Sequence, residues 1–204
     1  MTKLLNIGVL VSGSGTNLQS ILDACVRGAL PARVACVISN KADAYALERA
    51  RSAGIPALHL DHRAHAGREA YDAALVATLR EFEVELVAMA GFMRIITPVL
   101  LEAFPLAVMN IHPALLPAFP GLHAQRQALD YGAKVAGCTV HFVDAGTDTG
   151  PIIMQAPVAL LEGDTEQTLS ARIQKEEHLV YPEAIRLFAQ GRLKVEGRTV
   201  RIRQ

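Results

Sequence analysis

Apolar runs rich in Val, Ile and Leu occupy residues 5–11, 34–38, 86–90 and 107–111. Each is too short for a helix and gives way to turn or loop residues, so each predicts a strand buried on both faces. Between them the apolar spacing changes to that of helices. Leu18, Ile21, Leu22, Cys25 and Val26 form one stripe, and Tyr71, Leu75, Leu79 and Phe82 form another. Strands alternating with helices predict an α/β fold with an open, mainly parallel Rossmann-like sheet and helices on both faces. In that architecture ligands sit beyond the carboxyl ends of strands, which directs attention to the segments after Val11, Ala90 and Ile111.

After Gly137 the pattern changes. Residues 138–143 and 152–160 read as longer, alternating strands able to pair antiparallel, so antiparallel strands are expected in the C-terminal part. Residues 165–190 hold one long amphipathic helix that Pro182 should kink or split. Residues 193–202 predict a hairpin turning at Glu196-Gly197. With no repeat or linker, the 204 residues predict one domain.

Composition narrows the function. Twenty basic residues balance twenty acidic ones, so no net field draws nucleic acid or an anionic membrane, and any anionic ligand must be held locally. No stretch is long and apolar enough to span a membrane, and the opening residues from Met1 to Ile7 carry too short an apolar run for a secretory signal. Cys25, Cys36 and Cys138 are odd in number and far apart, which suits a reducing, cytoplasmic setting and small core thiols.

Three segments carry candidate chemistry. Ser12-Gly13-Ser14-Gly15-Thr16-Asn17 joins a strand to a helix, putting small residues and backbone N–H groups where the helix dipole favours a phosphate. A glycine turn that only caps the helix is the competing reading, since the segment is neither a dinucleotide fingerprint nor a Walker A loop. Asn110 and His112 lie two residues apart at the end of a buried strand, a spacing that directs both to one face. An amide able to donate to an oxyanion beside an imidazole able to exchange a proton suits acyl or formyl transfer. Asp148, in the turn 146–151, could supply the carboxylate that a working His requires, with His141 as a weaker candidate on the preceding strand. Glu177 falls on the apolar stripe of Ile173, Val180, Tyr181 and Ile185; it is either paired structurally or aimed at a substrate.

His59, His62 and His65 suggest a metal site only superficially, because their surroundings read as a polar, solvated loop; no metal is expected. Arg192, Arg198, Arg201 and Arg203 lack interleaved aromatics and read as a solvated hairpin.

Taken together, Ser12 to Leu18, Gly91-Phe92-Met93-Arg94-Ile95, Asn110-Ile111-His112-Pro113-Ala114-Leu115-Leu116-Pro117, Pro120-Gly121-Leu122-His123, Asp148-Thr149-Gly150-Pro151 and Glu177-His178 resemble the phosphoribosylglycinamide formyltransferase family of purine synthesis. The likeness covers essentially the whole chain. It implies one formyltransferase domain over 1–204, with a phosphate-binding half to about residue 105 and a folate and catalytic half from about 106. It also implies formyl transfer from 10-formyltetrahydrofolate, a co-substrate, to the amine of phosphoribosylglycinamide. The implied partners are these small molecules, with the protein a monomer or homodimer. By the same resemblance Asn110 stabilises an oxyanion, His112 moves a proton and Asp148 supports His112. Gly15, Thr16 and Asn17 hold the phosphate, and Glu177 contacts the ribose or glycinamide part. Arg68, Met93, Arg94, Ile95 and Ile96 border the folate, and the loop from Asp144 to Asp148 closes over its pteridine. Ala114 and Ala118 stand where the family commonly has Ser and a basic residue. The alternatives are a formyltetrahydrofolate hydrolase, another folate-dependent formyltransferase, and a non-enzymatic phosphate or nucleotide sensor.

Overall fold

The computed structural model describes residues 3–203, so Met1, Thr2 and Gln204, with the first two residues of the signal-sequence reading, lie outside it. The chain divides into two compact units, Met1–Asn110 and Ile111–Gln204. Among the described residues no helix is long and apolar enough to cross a membrane.

The first unit holds β1 (Leu5–Val11), α1 (Thr16–Val26), β2 (Ala32–Ser39), α2 (Tyr45–Ser52), β3 (Ala57–His59), α3 (Arg68–Glu81), β4 (Leu86–Met89), α4 (Pro98–Ala103) and the start of β5 (Val108–His112). All the pairings β3-β2-β1-β4-β5 are parallel. The four apolar runs are β1, β2, β4 and β5. In β1, Ile7, Val9, Leu10 and Val11 are fully buried, as expected of a central strand covered on both faces. The chain leaves β1 toward β2 on one side while β4 pairs on the other. The carboxyl ends of β1 and β4 therefore flank a topological switch point.

The helical stripes need one correction. Leu18, Ile21 and Leu22 are buried on α1, but Val26 is 88% exposed. At about 100° per residue Val26 sits about 80° from Leu18, at the rim of the stripe, and it ends the helix. Four short elements gave no signal: α2, β3, α4 and a helix over Ala124–Tyr131 in the second unit.

The second unit contains the end of β5, α5 (Ala124–Tyr131), β6 (Val135–Phe142), β7 (Ile152–Ala159), α6 (Glu166–Ala189), β8 (Leu193–Glu196) and β9 (Thr199–Ile202). β6 and β7 pair antiparallel, and β8 and β9 form the expected hairpin. Pro182 does not split α6, which runs unbroken for 24 residues behind a Thr165 cap. Proline inside a helix costs about 3 kcal/mol. Leu169, Ile173, Tyr181 and Ile185 are fully buried. At about 1.5–3 kcal/mol for each such side chain, their burial outweighs that cost.

Cys36 and Cys138 are buried core thiols, while Cys25 is half-buried. Burial pushes Cys36 and Cys138 up to about 12 and Cys25 to about 11, so all three stay protonated and unreactive near neutrality.

Candidate functional site

In the first unit, the loops at the carboxyl ends of β1, β2 and β4 are joined by one hydroxyl. Ser12 Oγ donates to Asn40 Oδ1 at 2.6 Å and accepts from the Met93 amide at 2.9 Å, with Ser12 and Asn40 both buried. The loop after β1 then turns through Gly15, whose φ of +72° is left-handed and caps α1 without any side-chain hydrogen bond. A Cβ at Gly15 would lie 2.6 Å from Ala46 Cβ, so conformation and space both demand glycine. Thr16 and Asn17 form the first turn of α1. An open N-terminus preceded by small residues is suited to an anion.

After β4, Met93 and Ile95 are 63% and 58% exposed, whereas Ile96 is buried. The Arg94 guanidinium carbon lies 5.7 Å from the centre of the Tyr71 ring, against which His62 and His65 pack edge-on. Two of the three regularly spaced histidines thus belong to an aromatic cluster. Arg68 opens α3 and lines a groove of about 320 Å³ with Gly67, Glu69 and Thr97. Thr97 is fixed by buried Asp72, which accepts from its amide and hydroxyl at 2.5 and 2.8 Å. Sequence reasoning passed over Asp72.

The second unit gathers charged and titratable side chains. His112 ends β5, two residues beyond half-buried Asn110 on the same strand. Its Nδ1 is 3.3 Å from Asp148 Oδ2, with the side chains 5% and 13% exposed. Its Nε2 is 2.8 Å from the Phe119 carbonyl; a carbonyl only accepts, so Nε2 carries the hydrogen. His141 repeats the arrangement from β6. Nδ1 donates to the Phe142 carbonyl at 2.8 Å, and Nε2 faces Asp148 Oδ1 at 3.7 Å, a charge contact longer than a hydrogen bond. Asp148 thus sits between two imidazoles, each held by a backbone carbonyl.

Burial alone would raise the Asp148 carboxyl. The contact with His141, the Gly121 amide at 2.8 Å and the His112 charge overcome that and hold it below the usual carboxylate range. Its backbone is left-handed, with φ +55°. Asp144 Oδ1 accepts from the Gly146 amide and the Thr149 hydroxyl, so this carboxylate organises the loop from inside. A Cβ at Gly150 would lie 1.7 Å from the Phe142 carbonyl oxygen, which forces glycine there.

Glu177 is buried on α6, as its place on the apolar stripe predicted, beside fully buried Ile173 and Tyr181.

A family model for formyl transferases matches residues 5–185. The phosphoribosylglycinamide formyltransferase of Escherichia coli is 48% identical over 191 residues, covering 94% of this chain and 90% of that protein. The chain belongs to the phosphoribosylglycinamide formyltransferase family. The crystal structure of glycinamide ribonucleotide transformylase 1 from Symbiobacterium toebii superposes with a TM-score of 0.99 at 62% identity, covering 100% of this chain and 96% of that one. The human trifunctional purine biosynthetic protein adenosine-3 is 41% identical over 193 residues, which take in 95% of this chain and 19% of that longer protein.

Sequence reasoning missed two hydrogen-bonding side chains of this formyltransferase. Thr139 Oγ1 on β6 donates to the Ala114 carbonyl at 2.6 Å and accepts from the Leu116 amide at 3.0 Å. Gln155 on β7 donates to Thr139 Oγ1 and to the Leu116 carbonyl, at 3.0 and 2.9 Å. Together they brace the loop that follows His112. A Thr in an apolar strand was the available clue, because a buried hydroxyl needs partners.

Proposed function

We propose that the chain transfers a formyl group from 10-formyltetrahydrofolate to the amine of phosphoribosylglycinamide, in purine synthesis. Attack of the amine on the formyl carbon creates a C–N bond and an oxyanion. Collapse of that intermediate breaks the bond to the folate nitrogen, which must receive a proton as the amine loses one. No net acid or base is consumed, so the task needs a group that relays a proton and a group that steadies negative oxygen.

The observation that carries this reading is the pair of buried His112 and half-buried Asp148, 3.3 Å apart, with His112 at the end of a strand that also holds Asn110. His112 takes the amine proton and returns it to the leaving nitrogen, with the Asp148 carboxylate stabilising the imidazolium between the two steps. For this, Nε2 leaves the Phe119 carbonyl and the neutral ring carries its hydrogen on Nδ1, toward Asp148, so that the Nε2 lone pair is free to accept the amine proton. Asn110 donates its side-chain amide to the oxyanion. His141 supports Asp148 from the opposite carboxylate oxygen.

Gly15, Thr16 and Asn17 hold the substrate phosphate through the open N-terminus of α1, and Glu177 contacts the ribose or glycinamide part. Exposed Met93 and Ile95, with Arg94, Ile96 and Arg68, border the folate. Apolar side chains that large are costly to leave in water beside an ordered backbone, which favours a flat aromatic ligand there. The loop from Asp144 to Asp148 covers the pteridine.

Initial rates with both substrates test the proposal, with deformylated folate as the readout. Turnover that requires the amine supports it. Folate consumed equally fast without the amine points to a hydrolase instead, and no consumption points to a binding protein.

A further inference from the structure

Helix α2 has no part in the proposed chemistry, yet it is built against the glycine loop. The Ala46 amide donates to the Gly13 carbonyl at 3.0 Å, and Arg49 Nε donates to the Ser14 carbonyl at 2.8 Å. A second nitrogen of the Arg49 guanidinium donates to Gln19 Oε1 on α1 at 3.1 Å, and the Tyr45 ring lies 5.1 Å from the guanidinium carbon. Gly15 completes the contact, since its missing Cβ is what lets Ala46 approach.

These bonds fix more than position. In a trans peptide the C=O and the following N–H point in opposite directions. Both peptides are trans, because among the described residues only Leu116–Pro117 is cis. Drawing the Gly13 and Ser14 carbonyls toward α2 therefore turns the Ser14 and Gly15 N–H groups to the loop's other side. A free loop of Ser and Gly samples many such orientations and must order itself when an anion binds.

We propose that Arg49 is a positioning residue for phosphate recognition: by holding the Ser14 carbonyl and Gln19 together, it aims the loop amides at the sugar phosphate before that phosphate arrives. The inference rests on the proposed phosphate role of the glycine loop. It assigns Arg49 a geometric task, with the phosphate held by the backbone.

Steady-state kinetics of Arg49→Ala and Arg49→Lys test it, beside isothermal titration of each protein with inorganic phosphate. Lysine keeps the positive charge but cannot span Ser14 and Gln19 in the same fork. The expected result is a rise of about tenfold in KM for the phosphorylated acceptor in both variants, the scale of one charge-assisted hydrogen bond. kcat and the KM for folate should stay within about twofold, and phosphate affinity should fall in parallel. Parental KM and phosphate affinity in both variants overturn the proposal. Full recovery by lysine also overturns it, because charge alone then suffices. Loss of kcat at unchanged KM does the same. The titration stands without turnover: an inactive parent that still binds phosphate more tightly than its Arg49 variants removes the formyl-transfer reading and leaves this one standing.

Discussion

The glycine loop of the first unit and the His112–Asp148 cluster of the second are candidate sites of opposite construction. The loop presents backbone: small residues, a left-handed Gly15 and a helix start with no side-chain cap. The cluster presents side chains, two imidazoles about one carboxylate, largely removed from solvent. A backbone site recognises charge and shape in the ground state, and damage to it should appear as lost affinity. A buried titratable cluster handles protons in the transition state, and damage to it should appear as lost turnover.

The largest test of that contrast is His112→Ala. Turnover should fall by about a thousandfold, within the usual range for a general acid–base group, while both substrates still bind within a few-fold. Stopped-flow transfer rates and equilibrium titration measure the two halves separately. Asp148→Asn comes next, with a loss of about a hundredfold in turnover, since the imidazolium loses its counter-charge but His112 keeps a neighbour able to hydrogen-bond.

The same substitution has a consequence for stability. The Asp148 carboxyl is held below its ordinary value of 3.8, so its contribution is complete above that value and disappears as pH falls through the folded-state value. Thermal unfolding measured from about pH 5 down to about pH 2 should show the asparagine variant losing less stability than the parent. Equal acid sensitivity would place the carboxylate's stabilising partners elsewhere.

Gly15→Ala should reverse the kinetic pattern. Its new methyl meets Ala46 at 2.6 Å in a left-handed backbone, so the loop must shift. KM for the phosphorylated acceptor should rise about tenfold or more with a smaller change in kcat. A variant that instead loses turnover at constant KM would erase the distinction between the two sites. The smallest effect on activity is expected from Thr139→Val, which deprives the Ala114 carbonyl, the Leu116 amide and Gln155 of a shared partner. Unfolding free energy should drop by about 1–3 kcal/mol, read by chemical denaturation, with turnover reduced only modestly.

Legibility in the sequence divided along similar lines. Strands β1, β2, β4 and β5 were plain because burial on both faces leaves runs dominated by apolar residues. Helices α2 and α5 were not, since their buried faces include Ala46, Ala50, Ala124 and Ala128, whose methyl groups give little contrast with the polar positions around them. β3 is three residues long and only partly covered. Asn110, His112 and Asp148 could be singled out because their side chains are unusual in a buried strand end or a glycine turn. His141 was harder to rank. The register of β6 against β7 shifts between Val140 and His141, and such an irregularity re-aims a side chain in a way that simple alternation does not reveal. Arg49 left no trace at all, because its partner is a backbone carbonyl 35 residues earlier in the chain.

The most direct test of the account follows an isotopically labelled formyl carbon from 10-formyltetrahydrofolate by nuclear magnetic resonance in the presence of phosphoribosylglycinamide. The label should leave the folate and reappear wholly as the formamide of the acceptor, one for one. Label recovered as free formate, or retained on the folate after prolonged incubation with ample protein, would contradict a transferase.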